Sequence, residues 1–277
     1  RDRLRSRGLG DVYKRQEQYG SNTTRTAATA MPKVAGCYYL TDDVTLGGSS
    51  AWTPVNGTII CMNGHKVTSP SAIGSTVYIE SNVHVVLTDC KASGSISNTR
   101  SNGAAGLSSR NSFNYTNSEN CTIDLFGVTV SGTGRSVANY TGSTVNLYNS
   151  TVSGTKYAIY NTGTVNTAGT VKTTSDTVES GYYCVYNFGT LTVDGTLTAN
   201  GGDVGIYNAA NKDGSQHGTM TVNGIVTSTG SSNGLSNGGV LAVTGTLTAI
   251  GKNLHGLYNN EHGTCLLYTS DAADDRI

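Results

Sequence analysis

The side chains that could do chemistry are few and dispersed. Cleaving or eliminating a polysaccharide needs clustered carboxylates for acid and base work or for calcium, with an Arg or Lys to engage an acidic sugar. Between residues 17 and 264 the one adjacent carboxylate pair is Asp42 and Asp43, while Asp89, Asp124, Asp194 and Asp203 do not share a repeat position. His65 follows Asn63-Gly64 and reads as a turn residue; His84, His217, His255 and His262 have no histidine or carboxylate at ligand spacing. No catalytic residue, metal or cofactor is assigned. Glycine pairs such as Gly201-Gly202 and Gly238-Gly239 sit where strands turn and do not open a helix, so they do not read as phosphate loops.

Aromatic residues are the better candidates, for binding. Tyr160, Tyr186, Tyr207 and Tyr258 each stand between an aliphatic residue and an asparagine. An outward column of such rings could hold the apolar faces of sugars or a partner protein; it could equally be a packing ladder that shields a sheet. Trp52, in the Ser-Ala-Trp-Thr-Pro segment, is a weaker ligand candidate and otherwise a core or capping residue.

The elements that position these rings follow from an internal repeat. Thr190–Ala199 (TLTVDGTLTA), Thr219–Ser228 (TMTVNGIVTS) and Val240–Ala249 (VLAVTGTLTA) superimpose without a gap around Gly195, Gly224 and Gly245. Apolar and polar residues alternate on both sides of that glycine, the pattern of two short strands joined at a bend, with Leu191, Val193 and Leu197 inward. Asparagines recur at Asn139, Asn161, Asn187, Asn208, Asn237 and Asn259, and two residues before each lies Val137, Ile159, Val185, Ile206, Leu235 or Leu257. On a strand the aliphatic residue and the Asn share a face. A repeat of this kind with no helix predicts a β-solenoid, its coils about 4.8 Å apart and its asparagines stacked as a hydrogen-bonded ladder. Coil starts near 37, 61, 90, 122, 144, 164, 190, 219 and 240 predict about nine coils, a rod of roughly 40 Å. Long inserts are expected at Ser93–Glu119 and Asn208–Gly218.

Composition agrees. The chain is rich in Gly, Thr, Ser, Asn and Val, with three Pro, one Trp and 13% charged residues, which disfavours helix and suits strands and tight turns. Both ends differ from the middle: Asp11–Gln16 (DVYKRQ) and Cys265–Ser270 (CLLYTS) can be written by opposite strands of one DNA element, as a translated library adapter around a metagenomic insert would be. Residues 1–16 and 265–277 are therefore read as non-native tails and 17–264 as one β-helix domain, truncated at both ends. That span carries 11 Lys and Arg against 13 Asp and Glu. Near-neutrality without a basic cluster excludes a nucleic-acid partner, and no apolar run approaches the ~20 residues of a membrane span. Cys37, Cys61, Cys90 and Cys121 lie about one repeat apart and, with Cys184, fit no zinc pattern; stacked buried thiols are expected in preference to disulfides.

Tyr38–Leu46 (YYLTDDVTL), Thr58–Val67 (TIICMNGHKV) and Val83–Cys90 (VHVVLTDC) continue the repeat toward the start of the chain. With these segments in this order, the sequence resembles the pectate-lyase-like parallel β-helix regions of cell-surface proteins from gut Firmicutes. The resemblance implies an all-β, right-handed parallel β-helix in an extracellular or bacterial cell-surface setting. The Asp-rich and Gly-His-Gly motifs of polygalacturonase-like enzymes are missing. Two functions follow as expectations: a noncatalytic surface module, adhesin or spacer, binding polysaccharide or host surface glycan; and, as the alternative, a polysaccharide lyase or glycoside hydrolase whose site lies at the edge of this chain or beyond it.

Overall fold

The computed structural model describes residues 25–48, 51–70, 74–101, 103–110 and 116–268. They form a right-handed parallel β-helix with no helical segment among them. Three all-parallel sheets of 11, 9 and 8 strands run the length of the solenoid, and each coil visits the first, second and third sheet in turn. One coil shows the plan: Cys121–Phe126 in the first sheet, Thr129–Gly132 in the second and Arg135–Asn139 in the third, each stacked on its equivalent in the next coil. The first sheet's 11 strands span about 48 Å at ~4.8 Å per strand.

Alternation decides the core. In the coil from Thr190, Leu191, Val193 and Leu197 all point inward and are buried, as the repeat predicts. The three decapeptides stack in the expected register, Leu191 on Met220 on Leu241. The glycines at the bend are required by close approach: a Cβ on Gly224 would strike the carbonyl oxygen of Gly195, and one on Gly245 that of Gly224. The aliphatic residues before the asparagines fill the core from Val137 through Leu235, and Leu257 is exposed in the last coil.

Toward the start of the chain the structure corrects the sequence reading. The coils expected at 61 and 90 begin at Thr58 and His84. Ser93–Glu119 is not one insert, since Ser95–Asn98 and Ala105–Ser108 complete a coil in the second and third sheets. What is inserted follows Ser108 and is closed by the Arg110–Asn117 bridge; residues 111–115 lie outside the described residues. The arm after Asn208 is as expected, closed by Ala210 and His217. Cysteine spacing was misleading because the connections differ in length: Cys37 lies opposite Ile59, and Thr88 lies opposite Cys61. Cys61 is joined to Cys90 by a disulfide across successive coils, not stacked as a thiol. Cys121 and Cys184 are buried free thiols, each pushed up to about 11 by desolvation, and so are poor nucleophiles at neutral pH. The strand Thr264–Leu267 continues the first sheet past residue 264, held by backbone pairing that any side chains permit. Of the residues read from the sequence as tails, 1–16 and 269–277 lie outside the described residues.

Candidate functional site: a tyrosine and arginine face on the third sheet

The third sheet is positioned by the asparagine ladder. Each Nδ2 donates to the Oδ1 of the next asparagine at 2.7 to 2.8 Å, from Asn139 through Asn259 without a break. The same amides donate to the carbonyl oxygens of Thr164, Thr190, Thr219, Val240 and Thr264 in the first sheet. The ladder thus ties coil to coil and satisfies buried backbone oxygens at the corner. Its first member is capped by Ser143, whose hydroxyl donates to Asn139 Oδ1 at 2.6 Å.

On the outer side of these strands the tyrosines gather, more of them than spacing showed. At the start of each strand two consecutive residues turn inward, Ala158 and Ile159 or Cys184 and Val185, all fully buried in the core. The outward residues are then three apart, which places Tyr157 beside Tyr160 and Tyr183 beside Tyr186. Simple alternation hides this pairing; the signal was the repeated Tyr-x-x-Tyr of 157–160 and 183–186. Tyr160 and Tyr186 stack at 4.9 Å and 9°, while Tyr207 follows tilted, 5.9 Å from Tyr186. Tyr157 meets Tyr160, Tyr182, Tyr183 and Tyr186 edge-on at 5.8 to 6.4 Å.

Tyr258 does not join the column. Ser236 stands between Tyr207 and Tyr258 in the register, and Tyr258 stacks instead on His255 at 5.5 Å. Trp52 is 6% exposed within the core, and its Nε1 donates to the Pro32 carbonyl at 2.8 Å, so it is a core residue and not a ligand platform.

Cations complete the face. The Arg135 guanidinium lies 3.9 Å over the Tyr160 ring and donates to the Tyr140 hydroxyl at 2.6 Å. Lys156 lies 4.9 Å over Tyr182, and Arg110 lies 5.1 Å over Tyr140. Tyr160 therefore has Arg135 on the preceding coil and Tyr186 on the following one, and its flat faces are taken. Tyr160 is thus left its ring edge and hydroxyl to offer. Tyr157 spends its hydroxyl on the Gly181 carbonyl at 3.0 Å, whereas those of Tyr160, Tyr183, Tyr186 and Tyr207 make no hydrogen bond among the described residues.

Desolvation, reinforced by neighbouring tyrosines, pushes Tyr183 and Tyr186 up to about 12 and raises Tyr157 as well. Below the unfolded value of ~10 the phenols are protonated in both states and their contribution to stability is complete. From there up to about 12 the unfolded chain ionises first, so stability falls as pH rises. Alkaline titration of tyrosinate absorbance should show late-titrating phenols that ionise only as the fold opens. All tyrosines ionising near pH ~10 in a chain still folded would refute this packing.

The scattered acids and histidines are partly corrected. His84 Nε2 lies 3.0 Å from Asp124, a buried carboxylate that also accepts from Asn146 Nδ2 at 2.6 Å. His65 lies 3.3 Å from Asp43, whose pKa is lowered mainly by the Lys66 backbone N–H it accepts. His262 approaches Glu261 at 3.5 Å. The first two pairs join residues 40 and 22 positions apart, which no local motif announces. Asp89 closes its turn by accepting the N–H groups of Gly64, Ser93 and Gly94 at 2.6 to 2.7 Å. Among the described residues no three His, Cys, Asp or Glu converge as metal ligands. Compared with protein-family models, with curated proteins and with solved structures, the chain matches none, so the parallel β-helix is identified from its own geometry.

Proposed function

We propose that this chain is a noncatalytic module of a secreted or surface-displayed bacterial protein, a pectate-lyase-like solenoid serving as a stiff adhesin-type rod whose tyrosine face binds glycan. One observation carries this reading: four phenol hydroxyls that make no hydrogen bond among the described residues stand on one face beside a fixed guanidinium, supported from behind by the asparagine ladder. Hydroxyl-rich ligands suit such a row, each phenol donating and accepting at once. Because the ring faces are already stacked, recognition runs through ring edges and hydroxyls.

The test is binding and turnover on a polysaccharide array, with the triple variant Tyr160→Phe, Tyr186→Phe, Tyr207→Phe as control. The variant keeps the stack and removes three hydroxyls, each worth about 1 kcal/mol, so affinity should fall by about two orders of magnitude with folding intact. Binding that survives the variant unchanged would remove the face from the proposal, and silence on every polymer would leave a spacer. A second reading, a polysaccharide lyase or glycoside hydrolase, is favoured by the His84–Asp124 pair, in which a buried carboxylate orients a half-exposed imidazole. Product release abolished by Asp124→Asn would establish it.

A further inference from the structure

We infer that the tyrosine face selects saccharides carrying a negatively charged substituent, a carboxylate or a sulfate, and that Arg135, with Lys156 beside it, is the residue that reads it. This rests on the glycan-binding reading above and adds the charge of the ligand to it.

Arg135 is held in a way that leaves it available. Its guanidinium is oriented by the Tyr160 ring at 3.9 Å and by one hydrogen bond, to the Tyr140 hydroxyl at 2.6 Å. A guanidinium has five N–H donors in a planar fork, so most remain for a ligand, and fixing the plane beforehand removes an ordering cost that a free arginine would bear on binding. No carboxylate pairs with Arg135 or Lys156 among the described residues.

The acids on this side are Asp176 and Glu179, in the connection that leads to Tyr182, and Asp203, and none of them forms an ion pair with Arg135 or Lys156 among the described residues. Asp203 accepts from the Ser232 hydroxyl and the Gly181 N–H, and its neighbour Val204 stands three coils beyond Arg135 and two beyond the coil of Lys156 in the register. Along the axis that places Asp203 about 14 Å from Arg135 and about 10 Å from Lys156, beyond the ~8 Å over which charges act in physiological salt.

The two cationic residues neighbour each other in the stack. Arg135 lies opposite Tyr157, the residue after Lys156, so the two residues stand on adjacent coils with their backbones about 4.8 Å apart along the axis. Both are half-buried against tyrosine rings, where a cation is less hydrated than in open water. An oxyanion on a sugar would regain for them the hydrogen bonds that water supplies incompletely, while neighbouring phenols take the sugar hydroxyls. A neutral saccharide leaves that interaction unmade.

The experiment uses the whole chain and two matched pairs of polymers: a carboxylated polysaccharide with its fully methyl-esterified form, and a sulfated polysaccharide with its desulfated form. At least one charged polymer should bind about tenfold more tightly than its neutral partner, and added salt should erase the difference. The pair that shows the preference distinguishes sulfate from carboxylate. Arg135→Gln combined with Lys156→Gln should abolish the preference, and Arg135→Lys, which keeps the charge and loses the planar fork, should retain part of it. Equal binding of charged and neutral forms would overturn this inference and leave the glycan reading standing; binding of none would overturn the glycan reading itself. A preference undiminished in the double variant would place charge selection elsewhere on the molecule and overturn the assignment to Arg135.

Discussion

Replacing Asn187 by alanine is expected to destabilise the solenoid by about 3–5 kcal/mol, the cost of leaving several buried polar groups without partners. Asn187 is fully buried, receives the amide of Asn161 at 2.7 Å, and donates to Asn208 Oδ1 at 2.7 Å and to the Thr219 carbonyl at 3.1 Å. Alanine removes these three bonds and a fourth, from Asn187 Nδ2 to the Gly189 carbonyl at 3.2 Å, and supplies no water in their place. Asn259→Ala is the internal control: the same residue type in the same column, exposed in the last coil, where solvent replaces what is lost and the effect should stay below about 1 kcal/mol. The denaturant midpoints of the two variants measure the contrast. Hydrogen exchange should accelerate in the coils around Asn187 and much less in distant ones, because each coil touches only its neighbours. Equal effects at positions 187 and 259 would mean that the ladder is an accompaniment of the fold and not a source of its stability.

Gly224→Ala is the second large effect, about 3 kcal/mol from overpacking. The added methyl would meet the Gly195 carbonyl oxygen and, at 2.8 and 2.9 Å, the carbonyl oxygen and carbon of Asp194. These are backbone atoms of the coil beneath, with no rotamer to swing away. Relief requires separating the coils and weakening the bonds from Gly224 N to Val193 O at 2.9 Å and from Ile225 N to Gly195 O at 2.8 Å. Gly103→Ala separates this effect from ordinary glycine chemistry: Gly103 has a φ of 74° and open space where a Cβ would stand. Alanine there bears only the left-handed backbone cost of about 1 kcal/mol. Thermal unfolding of the two variants should rank Gly224→Ala well below Gly103→Ala, and the reverse order would show that stacking at the bend is looser than described.

The candidate face was half legible. The column Tyr160, Tyr186, Tyr207 follows from its fixed place before each asparagine, and its register is as expected. Tyr157 and Tyr183 were hidden by two consecutive inward residues that shift the outward pair from two apart to three. Arg135 and Lys156 were hidden for another reason: each joins the face by lying over a ring of the next coil, a contact set by stacking and not by position in a motif. Tyr258 was over-read, since Ser236 interrupts its column.

By itself the sequence determined the parallel solenoid, the inward set of aliphatic residues, the asparagine ladder and the glycine bend, because alternation and a recurring period are written in consecutive residues and survive any insertion between coils. Only the tertiary structure decided which residues lie above one another where the connections vary in length. It paired Cys61 with Cys90 where spacing had suggested stacked thiols, and it joined His84 to Asp124. It seated Trp52 in the core and set Arg135 against Tyr160. Each of these contacts crosses between coils, and the stacking of one strand on the next is settled by backbone hydrogen bonds, which every residue forms alike and no residue type announces.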